Sequence, residues 1–545
     1  MRSVVALTLA IGCSGSPKPP PDPHHDHHGH HGTTTPPTKP NPTRGAHLAI
    51  TCAPDAQTQF DRGFFFLHNM DYVSARKTFE DAAGKHATCA MLHWGAAMTY
   101  FQPLWPGQPT KEALGRGADA IARAKAALAN ASPIEADLIA AAAAFYDQWD
   151  KTDTQARYKN WEVGQRAVAE KHPDDVEAQA FWALSRLATV DRKDKTYKET
   201  LAIAAMLEAL LVKRPEHPGL MHYLLHAYDN PVYANKAVAI TKTYEVVSPD
   251  AAHALHMPSH IHVRLGNWRE VIDWNIRSAE AALKHPVDGR VSRDWLHATD
   301  YMVYGYLQVG DDAKASEAAG KIDPATKYEL NSGPGAYGLS ATPARLALER
   351  KQWKEAAALP IRRVDYTWDQ YPWAEAVTHA ARGLGAAHTG DVKAATAAIA
   401  ELDKLLPKIE SPWWQGRVQI ERDVIAAWIA AKRDPKRAEA LLRAAAEREL
   451  GSGKDNVEPG HVITAAEELG DFLLEKKRPK DALAAYEAAL VESPKRLNAL
   501  FGAGRSAELA GDTAKARRYY EELVQIAPSS TRAARTHAQA YLAKP

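Results

Sequence analysis

The segment Glu467-Glu468-Leu469-Gly470-Asp471-Phe472-Leu473-Leu474, followed by Arg478-Pro479-Lys480-Asp481-Ala482-Leu483-Ala484-Ala485-Tyr486-Glu487-Ala488-Ala489-Leu490 and then Pro494, reads as two helices joined by a tight turn. Apolar residues recur every three or four positions on each side of the turn, which is the spacing of an amphipathic helix. The next stretch repeats the punctuation with Gly502, Gly511-Asp512, Ala516, Tyr520 and Pro528. Small residues let the paired helices approach closely. A Gly-Asp or Gly-Asn turn ends the first helix, and a Pro closes the second.

These residues resemble the tetratricopeptide repeat, a 34-residue helix–turn–helix unit. The resemblance implies an all-α chain: a TPR-type α-solenoid, a right-handed superhelix of helix–turn–helix repeats. Moving toward the N-terminus, Asp71-Tyr72 with Ala75 and Phe79 marks the first unit, and Trp94-Gly95 opens the next. Gly266-Asn267-Trp268, Gly310-Asp311, Gln352-Trp353 and Gly390-Asp391 mark later turns. The stretches 118–146 and 174–214 are helical pairs of poorer consensus, giving roughly ten units in all. Loops are expected at 286–293 and 323–338. The second holds Asn331-Ser332-Gly333-Pro334-Gly335 and is read as a mobile loop able to bend over the groove.

Length and composition agree with stacking. The chain has 545 residues, 45% hydrophobic and 24% charged, too long for one core but suited to a repeat array. Lys+Arg total 67 against 66 Asp+Glu, for a net charge of +1, so no basic field for nucleic acid is implied.

The N-terminus carries a different signal. Arg2 precedes the apolar run from Val4 to Gly12, too short to span a bilayer as a helix but typical of a secretory signal. Ala10-Ile11-Gly12-Cys13 resembles a bacterial lipobox, with Ala10 where Leu is usual. The resemblance implies lipidation at Cys13 and a chain held in the cell envelope, touching membrane through that anchor alone. Residues 1–12 are read as signal peptide, 13–55 as a disordered Pro- and His-rich tether, and 56–545 as solenoid. In an exported chain Cys52 and Cys89 are able to pair, subject to geometry. The tether contains His24-His25-Asp26-His27-His28-Gly29-His30-His31, a composition that binds Zn, Cu or Ni. An affinity tag, a metal-sticky spacer and metal capture near the membrane all fit it.

The most informative stretch for function is the groove segment 218–310. It contains Met221-His222-Tyr223-Leu224-Leu225-His226-Ala227-Tyr228-Asp229 and then His253-Ala254-Leu255-His256-Met257-Pro258-Ser259-His260-Ile261-His262. His222 and His226 share a helix face, as do His256 and His260. From His222 to His256 and from His226 to His260 is one repeat length, so stacked units set these imidazoles side by side. His253 and Asp229 extend the stripe by three residues each way. With about ten residues added for the loop at 286–293, the register continues to His297, Asp300 and Tyr304. Leu224, Leu225, Ala254, Leu255, Met302 and Val303 must pack inside, so the stripe faces the concave groove. Pro258 either kinks its helix, aiming His253, His256 and His260 at one point, or starts a shorter helix.

Neutral imidazoles from adjacent helices can ligate a divalent transition metal, Zn or Cu, with Asp229 and Asp300 completing the shell or orienting rings from behind. The expected metal set is therefore His222, His226, Asp229, His253, His256, His260, His297 and Asp300. A hydrogen-bonded polar groove, or an anion site made by charged histidines, are the alternatives. His262 faces away from the stripe. His86, His93, His285 and His388 read as surface or packing residues. If the metal kept an open position, Asp300 would serve as general base and Tyr301 or Tyr304 as proton donor. No HExxH, phosphate-binding loop or Ser/Cys nucleophile motif is present to name a reaction.

The motifs from His222 to Asp229 and from His253 to His260 resemble a bacterial group of tetratricopeptide-repeat proteins across about residues 57–511, which supplies no reaction. Tetratricopeptide-repeat grooves ordinarily take a protein or peptide partner. Phe60, Phe64, Trp182 and Arg186 either grip such a partner or, for the Phe pair, belong to the core. Three functions stay open: an envelope-anchored metal-binding solenoid, an interaction scaffold without metal, and a metalloenzyme.

Overall fold

Stacking in this protein is set by glycines pressed against aromatic rings. Gly470 and Gly502 flank the Tyr486 ring, and a side chain at either position would overlap it. Gly63 and Gly95 do the same around Phe79. The turns are closed by carboxylates: Asp71, Asp311, Asp391 and Asp512 each accept from the backbone N–H three residues on, at 2.9–3.1 Å. Such caps contribute about 1 kcal/mol each. At Gly390 and Gly511 the first helix ends in the left-handed conformation, φ +83° and +80°.

The computed structural model describes residues 45–105, 109–191 and 194–544, except the side chains of 245–247. Among them are twenty-five α-helices and no β-strand, paired antiparallel as the turns predicted. The signal run, Cys13 and the histidine tract lie outside the described residues. Residues 45–53, assigned above to the tether, pack on the array, with Ala46 and Leu48 buried. Cys52 and Cys89 form a disulfide. No helix among the described residues is long and apolar enough to cross a membrane.

Several expectations change. The stretch read as a loop, 323–338, is non-helical only as far as Ser332: Ser332 caps Gly333–Leu348, and Pro334 sits in its first turn, where the missing N–H costs nothing. Pro258 lies inside an unbroken helix, Ala252–Leu265. The ten-residue insertion is held by bridges between Val287 and Arg290 and between Val291 and Tyr328. Phe60 and Phe64 are fully buried against Phe79, Trp94 and Phe181, so they are core. Trp182 donates to Glu162, and Arg186 pairs with Glu199.

One element has no counterpart in the repeat pattern. After helix Pro435–Ser452, residues 453–464 run non-helically through the interior, buried from Val457 onward. Backbone carbonyls of this strap accept from Tyr301 (Glu458, 3.1 Å) and Arg345 (His461, 3.4 Å), and Arg417 donates to that of Ile463. Tyr337 donates to the Glu458 carboxylate at 3.2 Å.

Candidate metal centre

Three first helices, Pro218–Tyr228, Ala252–Leu265 and Arg293–Gln308, carry the histidine stripe. The structure divides it into two sets, each with nitrogens within 4.8 Å of one another: His222, His226 and His253, and His256, His260 and His297. The expectation of one centre at which His222 meets His256 is therefore corrected. Each HxxxH pair takes its third imidazole from the start of the next helix, because a helix start lies beside the preceding helix's middle turns. The spacing is the same in both sets: His226 to His253 is 27 residues, and His260 to His297 is 37, the same step plus the ten-residue insertion.

The protons in the second set are fixed by the surroundings. His256 Nδ1 lies 2.7 Å from the Asn275 carbonyl oxygen, whose amide nitrogen is itself spent on the Val271 carbonyl. His256 must therefore donate from Nδ1. His260 Nδ1 lies 3.0 Å from the Asp229 carboxylate and donates likewise. Both Nε2 atoms are left as bare lone pairs, and they face each other at 3.0 Å. His297 packs on His256 at 4.3 Å between ring centroids, and its Nδ1 is buried without a hydrogen-bond partner.

Burial keeps these rings neutral. It holds His256 and His297 well below the ordinary imidazole value, with neighbouring imidazoles adding to the effect, and pushes His222 down to about 3. Neutral imidazole is the ligating form. Burial also lowers His260, against the opposing hydrogen bond to Asp229.

Asp229 acts from behind rather than as a ligand to this set: it accepts from His260 and from Arg264 Nε at 2.8 Å, with Lys454 of the strap 3.8 Å away. Although burial raises its pKa, Lys454 and Arg264 hold it well below the carboxylate range. Asp300 is not in either set. It is fully buried in a salt bridge with Arg345, 2.8 Å from Nε, which removes it as a free base. Tyr301 donates to the strap backbone and the Tyr304 hydroxyl accepts from Arg496 at 2.8 Å, so neither hydroxyl is poised as an acid. His262 is buried between Thr241 and Asn267, away from both sets. His388 stacks on Trp353 at 3.8 Å.

Sequence reading missed a third cluster, His68, Glu177 and His217, fully or almost fully buried. His217 precedes Pro218 as a helix cap, a local signal, but nothing near Glu177 announces the pairing. Also missed were Asn275, Arg345 and the strap, whose Asn456 and Val457 line a small cavity beside His226, His253, His260 and His297.

Comparison with known proteins bears on the fold. A tetratricopeptide-repeat family model matches residues 430–496 and 467–531. No curated protein matches the chain by sequence. Among solved structures, a human IFIT1 dimer with PPP-AAAA is 12% identical over 86% of this chain and 90% of that one, TM-score 0.35. The Cut9–Hcn1 hetero-tetramer of the APC/C is 13% identical over 90% of each chain, TM-score 0.31. Overlays this loose transfer no ligand or partner. Residues 430–531 are tetratricopeptide repeats, and the chain is an all-α solenoid of the tetratricopeptide-repeat type.

Proposed function

We propose that this chain is a transition-metal-binding repeat protein of the cell envelope, taking Zn or Cu at His256, His260 and His297. One observation carries the reading: two buried imidazole nitrogens, both stripped of protons by the groups behind them, face each other at 3.0 Å. Two lone pairs at that distance repel unless a cation lies between them. A proton is disfavoured there, because burial holds both rings neutral. Nitrogens bound to one metal at about 2.0–2.1 Å sit roughly 3 Å apart, which matches. Asn275 and Asp229 supply the ring-orienting contacts that metal sites use.

The tetratricopeptide fold supports protein or peptide binding, but the strap already lies on the histidine face, so metal binding is the reading this geometry favours. The apolar run before Cys13 and the Cys52–Cys89 disulfide support an oxidising, extracytoplasmic location. The tract at 24–31 is suited to gathering metal for the interior site.

The test uses the full chain carrying H24S, H25S, H27S, H28S, H30S and H31S, purified without a metal column and dialysed against Zn(II). Tightly held zinc is expected by elemental analysis, and it should fall when H256A and H260A are added, with helicity unchanged by circular dichroism. Equal zinc in both proteins would refute the assignment.

A further inference from the structure

We infer that His222, His226 and His253 hold a second metal ion, so that the chain carries two adjacent ions sharing a cavity for one small anion. This rests on the proposed His256–His260–His297 site and adds the second ion and its ligand. His222 Nδ1 lies 3.0 Å from the His68 carbonyl oxygen, which can only accept, so the proton is on Nδ1 and Nε2 carries the lone pair. That Nε2 and the Nε2 of His253 are buried with no hydrogen-bond partner. Native proteins rarely leave such atoms unpaired, and three imidazoles converging within 4.8 Å account for them as ligands.

The two sets adjoin. His253 of the first lies 6.5 Å from His256 of the second, between ring centroids. Both contribute to one cavity, lined by His226 and His253 of the first set and His260 and His297 of the second, with Trp105 and Val457 among the apolar walls. The cavity holds about 30 Å³, room for about one or two water-sized groups and too small for a peptide. All six ligands are imidazoles, a set suited to copper or zinc. Two divalent ions so ligated keep excess positive charge in a buried place, with Asp229 the carboxylate behind them. A small anion of hydroxide or azide size in the cavity offsets it.

The tract-substituted full chain, loaded with Cu(II) and desalted, tests this by copper content and electron paramagnetic resonance. Two coppers per chain are expected, with spin intensity well below two isolated ions or a half-field transition, and with a spectral change on adding azide. H222A with H226A should leave one copper with an uncoupled signal of full intensity. One uncoupled copper in the parent chain, unaffected by H222A and H226A, overturns the second site and leaves the first standing. Two uncoupled coppers overturn adjacency, and no copper overturns both readings. The parent chain's spectrum decides even if the double variant misfolds.

Discussion

His68, Glu177 and His217 are as deeply buried and as tightly clustered as His256, His260 and His297, yet the two clusters place their protons in opposite ways. His217 Nδ1 accepts the Leu220 N–H at 3.2 Å, so its proton sits on Nε2 and points to Glu177, 2.9 Å away. The other carboxylate oxygen lies 3.0 Å from His68 Nε2, and His68 Nδ1 meets the Tyr223 hydroxyl at 2.9 Å. An anion lies between two ring nitrogens and His217's carries a proton; His68 Nε2 and the Glu177 oxygen beside it are close but make no aligned hydrogen bond. In the second cluster the carboxylate stands behind the ring, and the nitrogens that converge are bare. Residue type and burial alone do not separate a structural brace from a metal site; the position of each imidazole proton does.

The largest expected effect separates the brace from folding of the whole. Glu177→Ala leaves two buried imidazoles facing no anion and should lower stability by about 3–5 kcal/mol in denaturant unfolding, with or without chelator. The same carboxylate sets an acid limb. Burial raises the pKa of Glu177, but His217 and His68 outweigh that and hold it below its ordinary 4.5. A depressed carboxylate stabilises the fold above the glutamate range, and that contribution is lost as pH falls below 4.5 toward its folded value. Stability measured from pH 6 downward should therefore fall less steeply in Glu177→Gln than in the parent; equal slopes would show that Glu177 is not the anion between the histidines.

Metal should distinguish the clusters next. At a hundredfold excess over its dissociation constant, a bound ion adds about 2.7 kcal/mol. That thermal shift should survive Glu177→Gln and shrink in H256A with H260A. The smallest effect is expected behind the site: Asp229→Asn weakens the hold on His260 and should cost about 10–100-fold in metal affinity, read by competition with a chromogenic chelator, while the fold persists.

The fold was legible because its determinants are local. Gly390-Asp391 and Gly511-Asp512 end one helix and cap the next within a few residues, and Gly470 and Gly502 bracket Tyr486 from the helices before and after it. The histidine stripe was legible for the same reason, since HxxxH and the repeat length are both read along the chain. The division into two sets was not, because it depends on which turn of one helix lies beside the start of the next. Asp300 was misassigned because its partner, Arg345, sits 45 residues away in a helix whose first turns were read as loop. Nothing local marks residues 453–464, with their Gly, Pro and charged side chains, as an interior strap; distant Tyr301, Tyr337, Arg345 and Arg417 make them one.

The most direct measurement is an anomalous difference map, recorded at the metal's absorption edge, from crystals of the zinc- or copper-loaded chain. A peak bonded to Nε2 of both His256 and His260 and within reach of His297 is expected, with none at Glu177. A map with no peak between those two nitrogens, or with its peak between His68 and His217, would contradict the metal assignment.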